Sequence, residues 1–271
     1  MQPIIDYFST IPSSHRSLIL VSGITIFWLI ENAFPLFNFK YRRWQHAGIN
    51  IFFTLTTIIV NFCLAFILLQ TADWAFTNHF GLLQWLPEEM PIVAYTIIGL
   101  LLLDLIGAYL VHLVEHKVKI LWRFHLIHHT DTWIDTTSAN RHHPGESVIR
   151  FVFTTLGVVL VGSPMWLVFL YQTLSVVATQ FNHANIALPK KVDLFLSYFI
   201  VSPDMHKVHH HYVMPYTDSN YGNIFSIWDR LFGTFKVLPR EEIVYGVDTH
   251  MQPEEHNNLG NLLKIPFQKK K

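Results

Sequence analysis

VIRFVFTTLGVVLVGSPMWLVFLYQTLSVVATQ, residues Val148–Gln180, is too long for one ordinary membrane span, for which roughly 20 apolar residues suffice. Gly162-Ser163-Pro164 interrupts it near the middle, and Gly and Pro favour a turn there. The stretch reads as two short helices forming a hairpin that enters a membrane and returns to the side it left. Three apolar runs precede it, at about Ser17–Phe37, Gly48–Leu69 and Pro91–Val111, each long enough to span. The first lacks a small-residue cleavage site and reads as a retained helix. The expected fold is all-α: a polytopic membrane protein with about four transmembrane helices, three spans plus the hairpin. It forms a single integral membrane domain over residues 1–271 and carries a cytoplasmic, histidine-rich metal-binding cap.

Composition agrees. The chain is 51% hydrophobic and only 14% charged, well under the roughly 25% usual for soluble domains, so lipid is expected to cover part of the surface. Nineteen Lys and Arg balance nineteen Asp and Glu, which gives no electrostatic case for nucleic acid. The lone cysteine, Cys63, excludes an internal disulfide and reads as a packed core thiol. Charge placement sets the orientation. Lys40, Arg42 and Arg43 follow the first span, whereas Thr71–Met90 after the second has Asp73, Glu88 and Glu89 but no Lys or Arg. Arg16 is then the only basic residue outside, so the N-terminus lies outside and the later histidines lie in the cytoplasm.

Those histidines fall in three clusters, His112-Leu-Val-Glu-His116, His125-Leu-Ile-His128-His129 and His206-Lys-Val-His209-His210. Imidazole is the commonest metal ligand, and residues three and four apart share a helix face, so each cluster aims two or three rings at one point. A mononuclear site rarely takes more than four protein ligands, so nine imidazoles point to two metals. The first two clusters precede the hairpin and the third follows it. They can share a site only if Val148–Gln180 crosses the membrane an even number of times.

Other residues carry weaker signals. His142 and His143 precede Pro144, and one of them becomes a plausible ligand. His183 lies just after the hairpin on the same side. His211 points away from the shared face of its cluster, and His15, His46, His79, His250 and His256 have no such neighbours. Asp104, inside the third span and two helical turns before His112, reads either as an acceptor fixing a ligand imidazole or as an interhelical hydrogen-bond partner. Glu31 in the first span invites the same two readings. His112-Leu-Val-Glu115-His116 also fits the pattern of an inverted zinc peptidase, but that reading leaves the other clusters unexplained. Asp193–Val201 is an apolar stretch too short to span and reads as an interfacial or core helix. Coil and short helices are expected from Pro203 to the basic end Lys269-Lys270-Lys271.

The cluster spacing resembles that of the fatty acid hydroxylase/sterol desaturase superfamily. Further matches are Leu121-Trp-Arg-Phe-His125, Arg141-His-His143-Pro144, Phe181-Asn-His183-Ala-Asn-Ile, Ser202-Pro-Asp-Met-His206, Asp218-Ser-Asn220-Tyr221-Gly222 and Trp228-Asp-Arg-Leu-Phe-Gly-Thr234. The similar region covers roughly residues 92–235. Leu113 departs from the arginine that often follows the first ligand, and His142 and His211 are extra to the usual pattern.

The resemblance implies a non-haem centre of two iron ions held by His112, His116, His125, His128, His129, His143, His183, His206, His209 and His210. It implies O2-dependent hydroxylation or desaturation of a lipid, sterol-like, fatty acyl or sphingoid/ether lipid. The enzyme would be multi-pass, in a bacterial inner membrane or endoplasmic reticulum. No dinucleotide fingerprint, cysteine cluster or haem domain is present, so an external electron donor is implied, a cytochrome b5-like protein or ferredoxin with its reductase. The rivals are a zinc-dependent membrane hydrolase using His112, Glu115 and His116, and a membrane metal transporter. Transporter ligands usually sit near the midplane, whereas these cluster beyond the helix ends.

Overall fold

Long apolar runs without internal glycine–proline pairs become long helices, because only a helix satisfies every backbone group within one segment where water is excluded. The computed structural model describes residues 1–268; the basic end at 269–271 lies outside them. A short helix α1 (Gln2–Ser9) precedes α2 (Ser13–Ala33) and the long α3 (Arg43–Thr77). Next, α4 (Ile92–Asp104) runs through a π-helical turn, Leu105–Leu110, into α5 (Val111–Lys117). The helix α6 (Lys119–His129) carries the second histidine cluster. The hairpin follows as α7 (Pro144–Val161) and α8 (Met165–His183). Beyond it lie only short helices: α9 (Lys190–Leu196), α10 (Pro203–His209), α11 (Ile227–Leu231), α12 (Pro253–His256) and α13 (Leu259–Lys264). Among the described residues there is no β-strand, only isolated bridges such as Pro35 to Ile186.

The all-α expectation is met. Four stretches are long and apolar enough to cross a membrane: Ser13–Ala33, Arg43–Trp85, Ile92–Lys117 and Pro144–Val161. The hairpin helices are not short, however. They run 18 and 19 residues, and the first qualifies as a span by itself. Cys63 also departs from expectation: it is exposed on the outward face of α3, so an apolar neighbourhood in sequence did not mean a packed core. The buried core gathers instead where α3, α4, α7 and α8 meet, around Leu68, Leu103, Val158, Val161, Leu167 and Tyr171.

The hairpin turn is closed by backbone against backbone. Gly162 caps α7 in the left-handed conformation, at φ 67°, with its amide on the carbonyls of Val158 and Val159. Its carbonyl accepts from Gln84 Nε2 at 2.8 Å, and it abuts Gly81, which lies just past the end of α3 at φ 113°. A Cβ on Gly162 would lie 2.1 Å from the carbonyl oxygen of Phe80. Gly162→Ala therefore combines φ strain with a backbone clash, and is expected to cost roughly 2–3 kcal/mol, read as a lower thermal midpoint with an unchanged metal content. The turn packs at the end of α3 and the start of α4, so α7 begins, and α8 ends, at the opposite end of the bundle. The histidines before and after the hairpin are thereby returned to one place.

Candidate metal centre

Nine of the chain's histidines converge in two groups at that end of the bundle. Five, His112, His116, His125, His129 and His209, place one nitrogen each within 4.8 Å of one another. Four more, His128, His183, His206 and His210, do the same beside them. The groups do not follow the sequence clusters. Within a helix, residues four apart stay nearly in line while the residue at i+3 lies about 100° round the axis from the one at i+4. His125 and His129 therefore go to the five-histidine group and His128 to the other. On α10 and its C-cap, His206 and His210 go to the four-histidine group and His209 to the five. The adjacent pairs His128–His129 and His209–His210 thus each send one ring to either group, with centroids 5.5 and 5.2 Å apart. This divides the rings of two clusters that the sequence reading had aimed at single points.

Hydrogen bonds on the far side of the rings settle which nitrogen faces inward. His112 Nδ1 donates to the Tyr221 carbonyl at 2.8 Å, His209 Nδ1 to the Ser219 carbonyl at 2.7 Å, and His183 Nδ1 to the Thr179 carbonyl at 2.8 Å. His125 Nδ1 donates to Glu146 Oε1 at 2.7 Å, and His116 Nδ1 faces Asp218 Oδ1 at 3.2 Å. Carbonyls and carboxylates only accept, so these rings carry their proton on Nδ1 and an exposed lone pair on Nε2. The inward contacts His112 Nε2 to His125 Nε2 and His183 Nε2 to His128 and to His206 Nε2, each at 3.1 Å, turn these lone pairs toward neighbouring rings. For His112 and His125 both partners lack a proton, so this is not a hydrogen bond; it is a repulsion that a cation relieves.

The buried Nε2 atoms of His116, His129 and His209 likewise have no partner. Nitrogens about 2.0–2.1 Å from a metal stand roughly 2.8–3.4 Å apart, from the shorter octahedral to the longer tetrahedral edges. The 3.1–3.3 Å spacings within the four-histidine group match that range. Two metal ions fit the two groups. Burial drives the histidine pKa values down, well below the ordinary range for His128, His129, His206, His209 and His210 and to about 3 for His125, which leaves neutral imidazoles ready to bind a metal.

Nine of the ten histidines expected as ligands lie in the two groups. His143 stands outside both: its Nδ1 accepts from the Gly145 amide to cap α7, its Nε2 faces the Leu263 carbonyl, and its ring lies against Phe124. The neighbour His142 faces inward instead. Its ring stacks on His128 at 4.8 Å, and its Nδ1 donates to Glu146 Oε1 at 2.7 Å. The helix explains the exchange, because Pro144 starts α7 and leaves the preceding residue to serve as the N-cap. His211 stays out, its Nδ1 accepting from the Val244 amide.

Asp104 does not touch a ligand imidazole. Its carboxylate accepts from the amides of Ile224 and Phe225 and from Trp228 Nε1, at 3.1–3.2 Å. The π turn between Asp104 and His112 breaks the 3.6-residue register on which an alignment of the two depended. Asp104 holds the segment whose Tyr221 carbonyl orients His112. Asp104→Ala strands three buried donors and is expected to cost about 3 kcal/mol or more, seen as a lower thermal midpoint. Glu31 plays a similar part, accepting from the Thr136 and Asn185 amides and pairing with Arg43.

Sequence reasoning missed the charges that support the ligands. Glu146 Oε1 accepts from His125, His142 and Arg150, whose other end pairs with the buried Glu115 at 2.6 Å. The i, i+4 spacings of His142, Glu146 and Arg150 were the available signal. His46 was read as ordinary but is enclosed by Asp131 and Asp135, at 2.8 and 3.3 Å. Fully buried Arg141 ties the Ile127 carbonyl, Asn50 and the His256 carbonyl together. These groups lock the loop after α6 to the first turns of α3.

An all-helical bundle with four stretches of membrane-crossing length and two adjacent histidine groups at one end defines a class, helical membrane proteins with a histidine-rich candidate metal centre. Residues 96–234, just over half of the chain, match the fatty acid hydroxylase family model, and the chain belongs to the fatty acid hydroxylase family. It is 25% identical over 234 residues to the ornithine lipid hydroxylase OlsE of Rhizobium tropici, covering 83% of this chain and 68% of that one. It is 31% identical over 152 residues to the alkylglycerol monooxygenase of Homo sapiens, covering 53% of this chain and 31% of that one. It is 25% identical over 178 residues to the cholesterol 25-hydroxylase-like protein 1, member 2 of Danio rerio, covering 65% of this chain and 63% of that one. The chain thus spans under a third of the alkylglycerol monooxygenase it matches. No solved structure matches it.

Proposed function

We propose that the protein is an O2-dependent membrane oxygenase that hydroxylates a C–H bond of a lipid at a centre of two iron ions. The observation that carries this reading is the pair of adjacent, buried, all-histidine groups whose lone pairs converge. Neutral imidazole suits iron, and bound iron supplies the redox chemistry for O2 and an unactivated C–H bond. His112, His116, His125, His129 and His209 would hold one ion; His128, His183, His206 and His210 would hold the other, with His142 at its edge. The relatives named above are hydroxylases and monooxygenases of lipids, which supports hydroxylation over desaturation.

The chain's own residues orient and shield. The Tyr221, Ser219 and Thr179 carbonyls hold three rings in one tautomer, and Glu146 and Asp218 do so with a negative charge that makes their ligands more basic. Trp122 lies over His116 and His129, with ring centroids at 4.7 and 5.2 Å, and excludes water from the outer edge of the five-histidine group. Glu115, the base that a zinc hydrolase would need, is paired with Arg150, which weighs against that alternative.

The distribution of Lys and Arg supports a cytoplasmic centre. Electrons then come from a separate carrier on that side.

The test is purification in detergent with iron analysis, then turnover on a lipid extract under 18O2 with a reductase and carrier supplied. About two irons per chain and one 18O in a lipid product are expected. One zinc per chain, or a hydrolysed lipid without 18O, would overturn the reading.

A further inference from the structure

Two short helices outside the four membrane-length stretches are built inside out. On α9, Asp193 and the residue one turn on, Ser197, face inward: Asp193 Oδ1 accepts from Ser202 Oγ at 2.6 Å, and the Ser197 carbonyl accepts from Arg230 at 2.8 Å. The apolar residues face outward. Leu194, Phe195, Tyr198 and Phe199, with Leu231 and Phe232 at the end of α11, are each between 51% and 67% exposed. On α11 it is again the charged Asp229 that is fully buried, holding the Tyr221 and Gly222 amides. A helix in water turns its polar face out, so this reversal marks a surface that water does not cover.

The two helices form one face. The Ile200–Phe225 bridge and the bond from the Ser226 amide to the Phe199 carbonyl join the segments that carry them. That face continues into a membrane-length stretch. Phe232 stacks on Tyr109 at 5.3 Å, and Trp228 Nε1 donates to Asp104 at 3.1 Å, both partners lying within Ile92–Lys117. Basic groups edge it. Lys190 and Lys191 open α9, and Arg230 lays its guanidinium over the rings of Tyr198 and Phe235. The exposed ammonium groups of Lys190 and Lys191 beside this apolar face are the arrangement that a lipid headgroup layer favours, while Arg230 turns inward to the Ser197 carbonyl.

We propose that the α9–α11 face is embedded in the leaflet on the histidine side of the bilayer, as an interfacial wedge continuous with the spanning helices. Its inner side belongs to the metal centre, since the segment leading into α11 supplies the Ser219 and Tyr221 carbonyls that orient His209 and His112. The wedge therefore brings the edge of the centre against the hydrocarbon in which a lipid substrate dissolves, so that a substrate enters sideways from the leaflet. That route rests on the proposed function; the embedding does not.

The test is nitroxide depth measurement on full-length protein in phosphatidylcholine–phosphatidylglycerol vesicles, in a Cys63→Ser background. Single labels are placed at Phe195→Cys and Leu231→Cys. Phe62→Cys, on the outward face of α3, is the bilayer standard, and Asp248→Cys is the water standard. The labels at 195 and 231 are expected to collide with O2 in preference to a water-soluble nickel chelate, as the label at 62 does. Collision behaviour matching position 248 would place the face in water and overturn the proposal. Shielding from both reagents, with spin–spin broadening that grows with protein density, would overturn it in favour of contact with a second copy. All the replaced side chains are exposed, and none touches the histidine groups, so the readout does not depend on iron or turnover.

Discussion

Alanine at His128 and alanine at His129, neighbours in sequence, are expected to empty different metal positions. His129 belongs to the five-histidine group and His128 to the four. Each single variant should retain about one metal per chain where the unaltered protein holds about two. Lipid oxidation should fall more than about 100-fold in both, since even outer partners of metal ligands contribute 10–100-fold. The combinations separate this partition from a simple count of lost ligands. His128→Ala with His129→Ala should leave no metal. His125→Ala with His129→Ala, two changes within one group, should still leave about one. Metal analysis of the purified variants, checked for monodispersity, reads this directly. Equal metal content in the two double variants would refute the division into groups.

The second large effect is expected at Glu146. One carboxylate oxygen accepts from Nδ1 of His125, in the five-histidine group, and from Nδ1 of His142, which stacks on His128 of the four-histidine group. Asp218 supports His116 alone, and Asn182 Oδ1 supports His183 alone, at 2.7 Å. Glu146→Ala is therefore expected to speed metal loss from both positions to a chelator, by roughly 10–100-fold. Asp218→Ala should affect only the five-histidine metal and Asn182→Ala only the other. Glu146→Gln keeps an accepting oxygen and should recover most of the retention. Glu146→Ala also leaves Arg150 with only Glu115, so the thermal midpoint of the metal-free protein is needed alongside. Release of one metal with wild-type retention of the second would show that Glu146 serves a single group.

Much of the fold was legible because its signals are local. A run of apolar residues about 20 long predicts a spanning helix whatever its neighbours do, and Gly162-Ser163-Pro164 marks a turn by backbone chemistry alone. The hairpin's length was underestimated, because a helix extends past its apolar run: α8 continues to His183, whose ring belongs to the centre rather than to lipid. The exposure of Cys63 was illegible for a related reason. In a bilayer the apolar face of a helix turns outward as readily as inward, so an apolar neighbourhood no longer indicates burial.

The sequence by itself determined that this is a helical membrane protein with enough imidazole for two metals, since hydrophobic length and ligand spacing are properties of a chain read along one axis. Only the tertiary structure decided how the rings are shared. The 100° between positions i+3 and i+4 splits each adjacent histidine pair between the groups, and the capping demand of Pro144 draws His143 away and leaves His142 facing in. The π turn takes Asp104 off the ligand stripe and onto the segment that carries Tyr221. Glu146, Asp218 and the Ser219 and Tyr221 carbonyls orient their rings across separations of up to 109 residues. No spacing rule reaches that far, because such contacts exist only once the helices have packed.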